Sequence, residues 1–281
     1  MTTKLNELTT CRHGAMLVNT NDEYVGKSLL AYGEWSEAEI FLFNQIVRPG
    51  DVVLEAGANI GSHTVALARA AGESGKVHAF EPQRHAFQLL CANVALNSLS
   101  NVYTHYMGLG SENREALFPV VDPAAPNNFG ASSFHVAHHQ MERVIVRSID
   151  SFEFPRVDFL KADVEGFELE VLQGARETVL RHRPVCHVEY VNPYTEDIVS
   201  GLMAYFRDLD YSLWHVITPL YNDHNFKGNR QNEFSGLWSF DMLCLPNEKA
   251  SVSGLSAVTG GVGYCDDPDA WKHVSFQYLN T

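Results

Sequence analysis

Basic residues are scarce in this chain: 20 Lys and Arg stand against 34 Asp and Glu, a formal charge of −14 over 281 residues. That balance repels phosphate backbones and anionic lipid, so nucleic acid and membrane surfaces are poor partners. No apolar run approaches the length that crosses a bilayer, and the opening MTTKLNELTTCRHG has no apolar h-region. The five cysteines, Cys11, Cys91, Cys186, Cys244 and Cys265, lie far apart with no CxxC pair. An odd, scattered set without a leader segment predicts a reducing, cytoplasmic setting. HExxH and similar short metal motifs are absent, and HVAHH (135–139) has no acidic or Cys neighbours that would make it a zinc site. What remains is an ordinary globular composition, 45% apolar with four tryptophans, and no internal repeat.

Three regions are expected: an N-terminal helical appendage or cap at 1–50, a main domain at 51–246, and a polar C-terminal arm at 247–281. In the first, Ser36 and Glu39 have capping-box spacing ahead of AEIFLFNQIV, and Pro49-Gly50 ends that helix. From VVLEA (52–56) strand and helix patterns alternate: a helix over 60–71, strand VHAFEP, a helix over 84–97, strand VYTHYMGL, strand VDFLKADV, one helix over 167–182, strand VCHVEYV (185–191) and a helix over 196–209. YSLWHVI and FDMLCL follow with no helix between them, which predicts an antiparallel hairpin at one sheet edge. Continuous apolar strands alternating with helices mean a mostly parallel α/β sheet covered on both faces, with ligands at the strand C-terminal edge. Roughly Ser111 to Met141 is a long polar interruption, and its part from Asn127 to Gln140 is placed to lie over a ligand site.

DVVLEAGANIGSHT (51–64) ends a strand in small residues before a helix N-terminus. A dinucleotide fingerprint needs G-x-G-x-x-G, but here the run is Gly57-Ala58-Asn59-Ile60-Gly61-Ser62. Asn59 puts a side chain where a pyrophosphate would press on bare backbone, and Glu55 adds negative charge. Carboxylate, small turn and amide suit a zwitterion: Glu55 toward an ammonium, the helix start with Thr64 toward a carboxylate. S-adenosylmethionine carries both groups and no phosphate. Glu81, ending the next strand in Phe80-Glu81-Pro82, suits two ribose hydroxyls. Gly57 and Gly61 complete the expected cofactor set.

LEAGANIGSHT, AFEP, KADVEGFELEVLQGA and VEY together resemble the FkbM-type methyltransferases, a branch of the class I S-adenosylmethionine-dependent enzymes, from about Gly33 to Tyr190. The resemblance implies a Rossmann-like sheet of seven strands ordered 3-2-1-4-5-7-6, with strand 7 antiparallel. It also implies O-methylation of a hydroxyl on a sugar, polyketide or related natural product. A nicotinamide-dependent oxidoreductase and a non-enzymatic cofactor-binding module are the alternatives.

Asp163 and Glu165 end a central strand, and His187 and Glu189 share a face of its neighbour. Carboxylates converging there resist joint ionisation, which favours a general base for an alcohol proton. Asp163 is the first catalytic candidate, with Glu189, His187 and Glu165 beside it. Helix capping by Glu165 and a core role for His187 stand as alternatives. Asp163, His187 and Glu189 could instead hold a divalent metal such as Mg²⁺. The expected partner is a small-molecule or glycan hydroxyl acceptor, and a homo-oligomer stays open.

Overall fold

The computed structural model describes residues 5–135, 138–190, 196–260, 265 and 267–279. Val191, Val136 with Ala137 inside HVAHH, and residues 261–264 of the C-terminal arm lie outside these. The chain opens with a hairpin, β1 (Asn6–Cys11) and β2 (Gly14–Asn19), then α1 (Val25–Tyr32) and α2 (Glu37–Ile46). The N-terminal region is therefore half strand, where only helix was expected. NELTTC alternates too weakly, and Arg12-His13 carries no Gly or Asn turn signal. Asn93 and Asn97 hold the hairpin, their side-chain oxygens accepting from the N–H groups of Leu17 and Ala15.

The main sheet follows: β3 (Val52–Ala56), α3 (Ser62–Ala71), β4 (Lys76–Phe80), α4 (Arg84–Leu96) and β5 (Val102–His105). The polar interruption holds a small three-stranded sheet of β6 (Gly108–Leu109), β7 (Arg114–Pro119) and β8 (Met141–Arg147). Next come β9 (Phe159–Ala162), α5 (Glu168–Gln173), α6 (Arg176–His182), β10 (Val185–Glu189) and α7 (Glu196–Asp208). The long antiparallel pair β11 (Tyr211–Pro219) and β12 (Trp238–Pro246) completes the sheet. β13 (Ala250–Ser253) and β14 (Ser275–Tyr278) form a second hairpin within the C-terminal arm.

The single helix expected over 167–182 is two. At Gly174 a Cβ would come within 2.0 Å of the Gly110 carbonyl oxygen, so only glycine permits that approach. The carboxylate of Asp150 then accepts the N–H groups of Glu177 and Thr178 and restarts the helix as α6.

The seven strands run β5-β4-β3-β9-β10-β12-β11, with β12 antiparallel to both neighbours. This is the order 3-2-1-4-5-7-6 of a class I methyltransferase. Successive side chains face opposite sides of the sheet. Leu54, Leu160, Cys186 and Met242 join one core with α5, α6 and α7. Val53, Phe159, Val185 and Leu243 join another with α2 and α3. The C-terminal hairpin adds Ala250 and Phe276 to that second core. Among the described residues no helix is long and apolar enough to cross a membrane.

Candidate active site

The face toward α2 turns polar near the C-terminal ends of the strands. Glu55 of β3 stands level with Lys161 of β9, and Lys161 with His187 of β10. Asp241 of β12 stands opposite Glu189. Above this row a cavity of about 310 Å³ opens, lined by Glu55, Gly57, Asn59, Glu81, Asp163 and Glu189 among others. Its size falls at the lower end of small-molecule sites.

Gly57 has φ +80°, and a Cβ there would lie 1.8 Å from the Asp163 carbonyl oxygen. The first turn glycine thus lets the ends of β3 and β9 close together, which Asp163 N–H seals by donating to the Ala56 carbonyl at 3.1 Å. Asn59 adopts φ +50°, and its N–H donates to Glu81 Oε2 at 2.8 Å. Gln83 N–H donates to Glu81 Oε1 at 2.7 Å, so two backbone groups aim this carboxylate at the cavity. Burial nevertheless pushes Glu81 up to about 7.

Glu55 is buried and accepts the Thr64 hydroxyl at 2.6 Å. Burial pushes its pKa up to about 7 against the pull of Lys161 and Thr64. Gly61 and Thr64 sit behind the cavity wall rather than on it. Thr64 serves Glu55, and Gly61, at φ +88°, lets the chain enter α3. Ser62 and His63 of α3 line the cavity in their place.

Lys161, only 1% exposed, donates to Asp163 Oδ2 at 2.7 Å. Burial favours its neutral form, but Asp163, Glu39 and Glu55 outweigh that and hold its pKa above the ordinary lysine value. Asp163, Glu165 and Glu189 bring carboxylate oxygens within 4.8 Å of one another. Burial, then the charges of Asp163 and Glu168, pushes Glu165 up to about 8. Glu189 is raised well above the usual carboxylate range by burial and then by Asp163 and Glu165.

The turn carrying Glu165 (φ +56°) and Gly166 (φ +92°) is held by a different carboxylate. Glu168 Oε1 accepts the N–H groups of Val164 at 2.9 Å and Gly166 at 3.1 Å. Among the described residues no side chain caps the α5 N–H groups; Glu168 holds the preceding turn, and Glu165 faces the cavity.

His187 departs from the expected grouping with Asp163 and Glu189. It is fully buried below the cavity and stands edge-on to Phe43, with Nδ1 3.8 Å from Asp241 Oδ1. Its neighbours are Glu39 and Asp241, with ligand atoms of all three within 4.8 Å. A strand places residues two apart on one face, but not at one depth relative to a pocket. Burial, reinforced by Lys161, keeps the imidazole far below its ordinary pKa.

Glu39, Lys161 and Asp241 are the residues that sequence reasoning left out of the site. Each is a charge inside an apolar pattern, which was the available signal. The capping-box pair does meet, but the Ser36 hydroxyl donates to the Glu39 carboxylate itself, and among the described residues no side chain caps the α2 N–H groups. The loop after β7 covers the cavity: Gln83 Nε2 donates to the Phe129 carbonyl at 2.8 Å and Ser132 Oγ at 3.0 Å. His135 packs on Phe167, and His138 and His139 pack on each other. Trp35 and Trp238 line the cavity, whereas Trp271 packs on Phe41.

The chain is similar to several known methyltransferases. A protein called Methyltransferase 1 from Beauveria bassiana is 30% identical over 167 residues, which cover 50% of this chain and 66% of that protein. The hexuronic acid methyltransferase AglP of Haloferax volcanii is 28% identical over 189 residues, 65% of this chain and 72% of its own. Among solved structures, methyltransferase FkbM from Methylobacillus flagellatus aligns over 73% of this chain and 50% of its own, at 19% identity and TM-score 0.47. The O-methyltransferase TomG of Streptomyces achromogenes, solved with S-adenosylmethionine, aligns over 74% of this chain and 78% of its own, at 15% identity and TM-score 0.44. Residues 55–213 match the methyltransferase FkbM domain, so the chain belongs to the FkbM family of S-adenosylmethionine-dependent methyltransferases.

Proposed function

We propose that this chain methylates a hydroxyl of a sugar, polyketide or related natural product. The observation that carries the reading is the meeting of Asp163, Glu165 and Glu189 at the cavity edge, beside the Gly57 turn. In this reading Glu81 takes the ribose hydroxyls, and Glu55, Gly57 and Asn59 hold the amino-acid end, with Gly61 and Thr64 supporting the turn. When bound, S-adenosylmethionine supplies the methyl group and leaves as an uncharged thioether.

The protein's part is to bind, orient and take a proton. With the methyl group supplied and its electron pair retained by the bound cofactor, the acceptor hydroxyl would give its proton to a carboxylate of this edge. Asp163 is fixed by Lys161 and orients the acceptor. Glu189 or Glu165, raised by burial and then by the neighbouring carboxylates, receives the proton when in its ionised form. His187 lies below this edge and takes no direct part in the transfer.

Lys161 is the one Lys or Arg lining the cavity among the described residues, and Asp163 occupies it. A neutral sugar hydroxyl therefore suits the cavity better than a free hexuronate. Residues 1–50 act as a cap, since Tyr24, Trp35 and Glu39 reach the cavity. The three edge carboxylates also form an all-oxygen set that fits Mg²⁺, which would orient the hydroxyl.

Incubation with methyl-labelled cofactor and a panel of glycosides and polyketide alcohols, followed by mass spectrometry, tests the reading. Label on oxygen, lost in Asp163→Asn and Glu189→Gln, is expected. Label on nitrogen or carbon, or undiminished transfer in both variants, contradicts it. A chelator arm separates the Mg²⁺ role from simple proton transfer.

A further inference from the structure

We propose that Glu39, His187 and Asp241 form a second ligand site, beneath the cavity floor, for a divalent first-row transition ion such as Mn²⁺ or Zn²⁺. Three elements converge there: α2 supplies Glu39, β10 supplies His187 and β12 supplies Asp241. One ligand atom from each lies within 4.8 Å of the others. All three side chains are buried, at 3%, 0% and 2% exposure.

The independent observation is His187 itself. Among the described residues neither of its ring nitrogens has a hydrogen-bond partner. Buried polar atoms in folded proteins are almost always satisfied. Here Nδ1 stops 3.8 Å short of Asp241 Oδ1, too far for a hydrogen bond. Ligand atoms on two sides of one ion are separated by more than hydrogen-bond length, because each sits about 2.0–2.2 Å from the metal. The spacing fits an ion between them better than a direct contact.

The surroundings hold the donors as metal ligands are usually held. Ser239 Oγ donates to Asp241 Oδ2 at 2.7 Å, and the Ser36 hydroxyl donates to Glu39. Phe43 stands edge-on to the imidazole at 4.9 Å and fixes its plane. Among the described residues Lys161 makes its close ion pair with Asp163, so its charge reaches Glu39 and Asp241 only at longer range. Glu39 and Ser239 also line the cavity, which gives the ion a route in and an open coordination position on that side. One imidazole with two carboxylates selects Mn²⁺, Fe²⁺ or Zn²⁺ over Mg²⁺, which prefers oxygen alone. Such an ion would tie α2 to the sheet under the cofactor site, independently of which acceptor is methylated.

The test uses the full chain, stripped with chelator and dialysed against Mn²⁺, Zn²⁺ or Mg²⁺. About one equivalent of Mn²⁺ or Zn²⁺ should remain bound and raise the melting temperature, with Mg²⁺ unable to replace it. Asp241→Asn, nearly isosteric, and His187→Gln should each weaken retention at least about tenfold, with circular dichroism confirming that both remain folded. Glu165→Gln should leave retention intact. Bound Mn²⁺ should show nitrogen coupling in pulsed electron paramagnetic resonance. Folded wild-type protein that retains no ion overturns the proposal. So does retention that survives both floor variants, or that disappears only in Glu165→Gln.

Discussion

The two faces of one sheet, built from the same strands, carry opposite chemistry. Toward α5, α6 and α7, Leu54, Leu160, Cys186 and Met242 present only apolar surface. Toward α2, their immediate neighbours Glu55, Lys161, His187 and Asp241 form a buried polar row. A strand covered on both sides can be apolar throughout, and burying charge costs stability unless it is paired. Polarity confined to one face and to the strand ends under a cavity therefore marks where folding stability yields to ligand chemistry.

The largest expected effect breaks the apolar face. Leu160→Asp puts an unpaired carboxylate in that core and should cost more than about 5 kcal/mol, leaving no cooperative unfolding transition. Next comes the cation of the polar face. Lys161→Met strands Asp163, Glu39 and Glu55, and should cost about 3–5 kcal/mol in denaturant unfolding. A loss under about 1 kcal/mol would mean that the carboxyl groups are already neutral.

A third prediction uses pH. Glu81 is raised from 4.5 to about 7, chiefly by burial. Between those values the folded protein binds a proton that the unfolded chain releases, so this stabilisation fades as pH rises through 7. Glu81→Gln cannot titrate. Its stability relative to wild type should therefore climb between pH 5 and pH 8 by up to about 3 kcal/mol. A flat difference would contradict the assignment. The smallest effect is Ser239→Ala, which removes one hydrogen bond to Asp241 and should cost about 1 kcal/mol.

Much of this contrast was legible in the residues. Continuous apolar strands gave the parallel sheet, and LEAGANIGSHT with AFEP placed Glu55, Gly57, Asn59 and Glu81 around one cavity. The β1–β2, β7–β8 and β13–β14 pairings were not legible. Strands such as NELTTC, REALFP and ASVS are short and half polar, and their pairing depends on tertiary neighbours rather than on pattern. Depth was equally hidden. Period-two spacing puts His187 and Glu189 on one face but cannot say that one lies under the floor and the other at the edge. Glu39 reads as a helix-start residue because its neighbour on the sheet, Asp241, is 202 positions away. Glu168 escaped notice because the turn it holds exists only once Glu165 and Gly166 take positive φ.

Calorimetric titration of S-adenosylhomocysteine into wild type and Glu81→Ala, with NADH as the comparison ligand, asks whether Glu81 serves a sulfonium nucleoside and not a dinucleotide. If Glu81 holds the ribose, binding is one-to-one in wild type, at least about tenfold weaker in the variant, and absent with NADH. Equal affinity in both proteins, or NADH bound in preference, would contradict it.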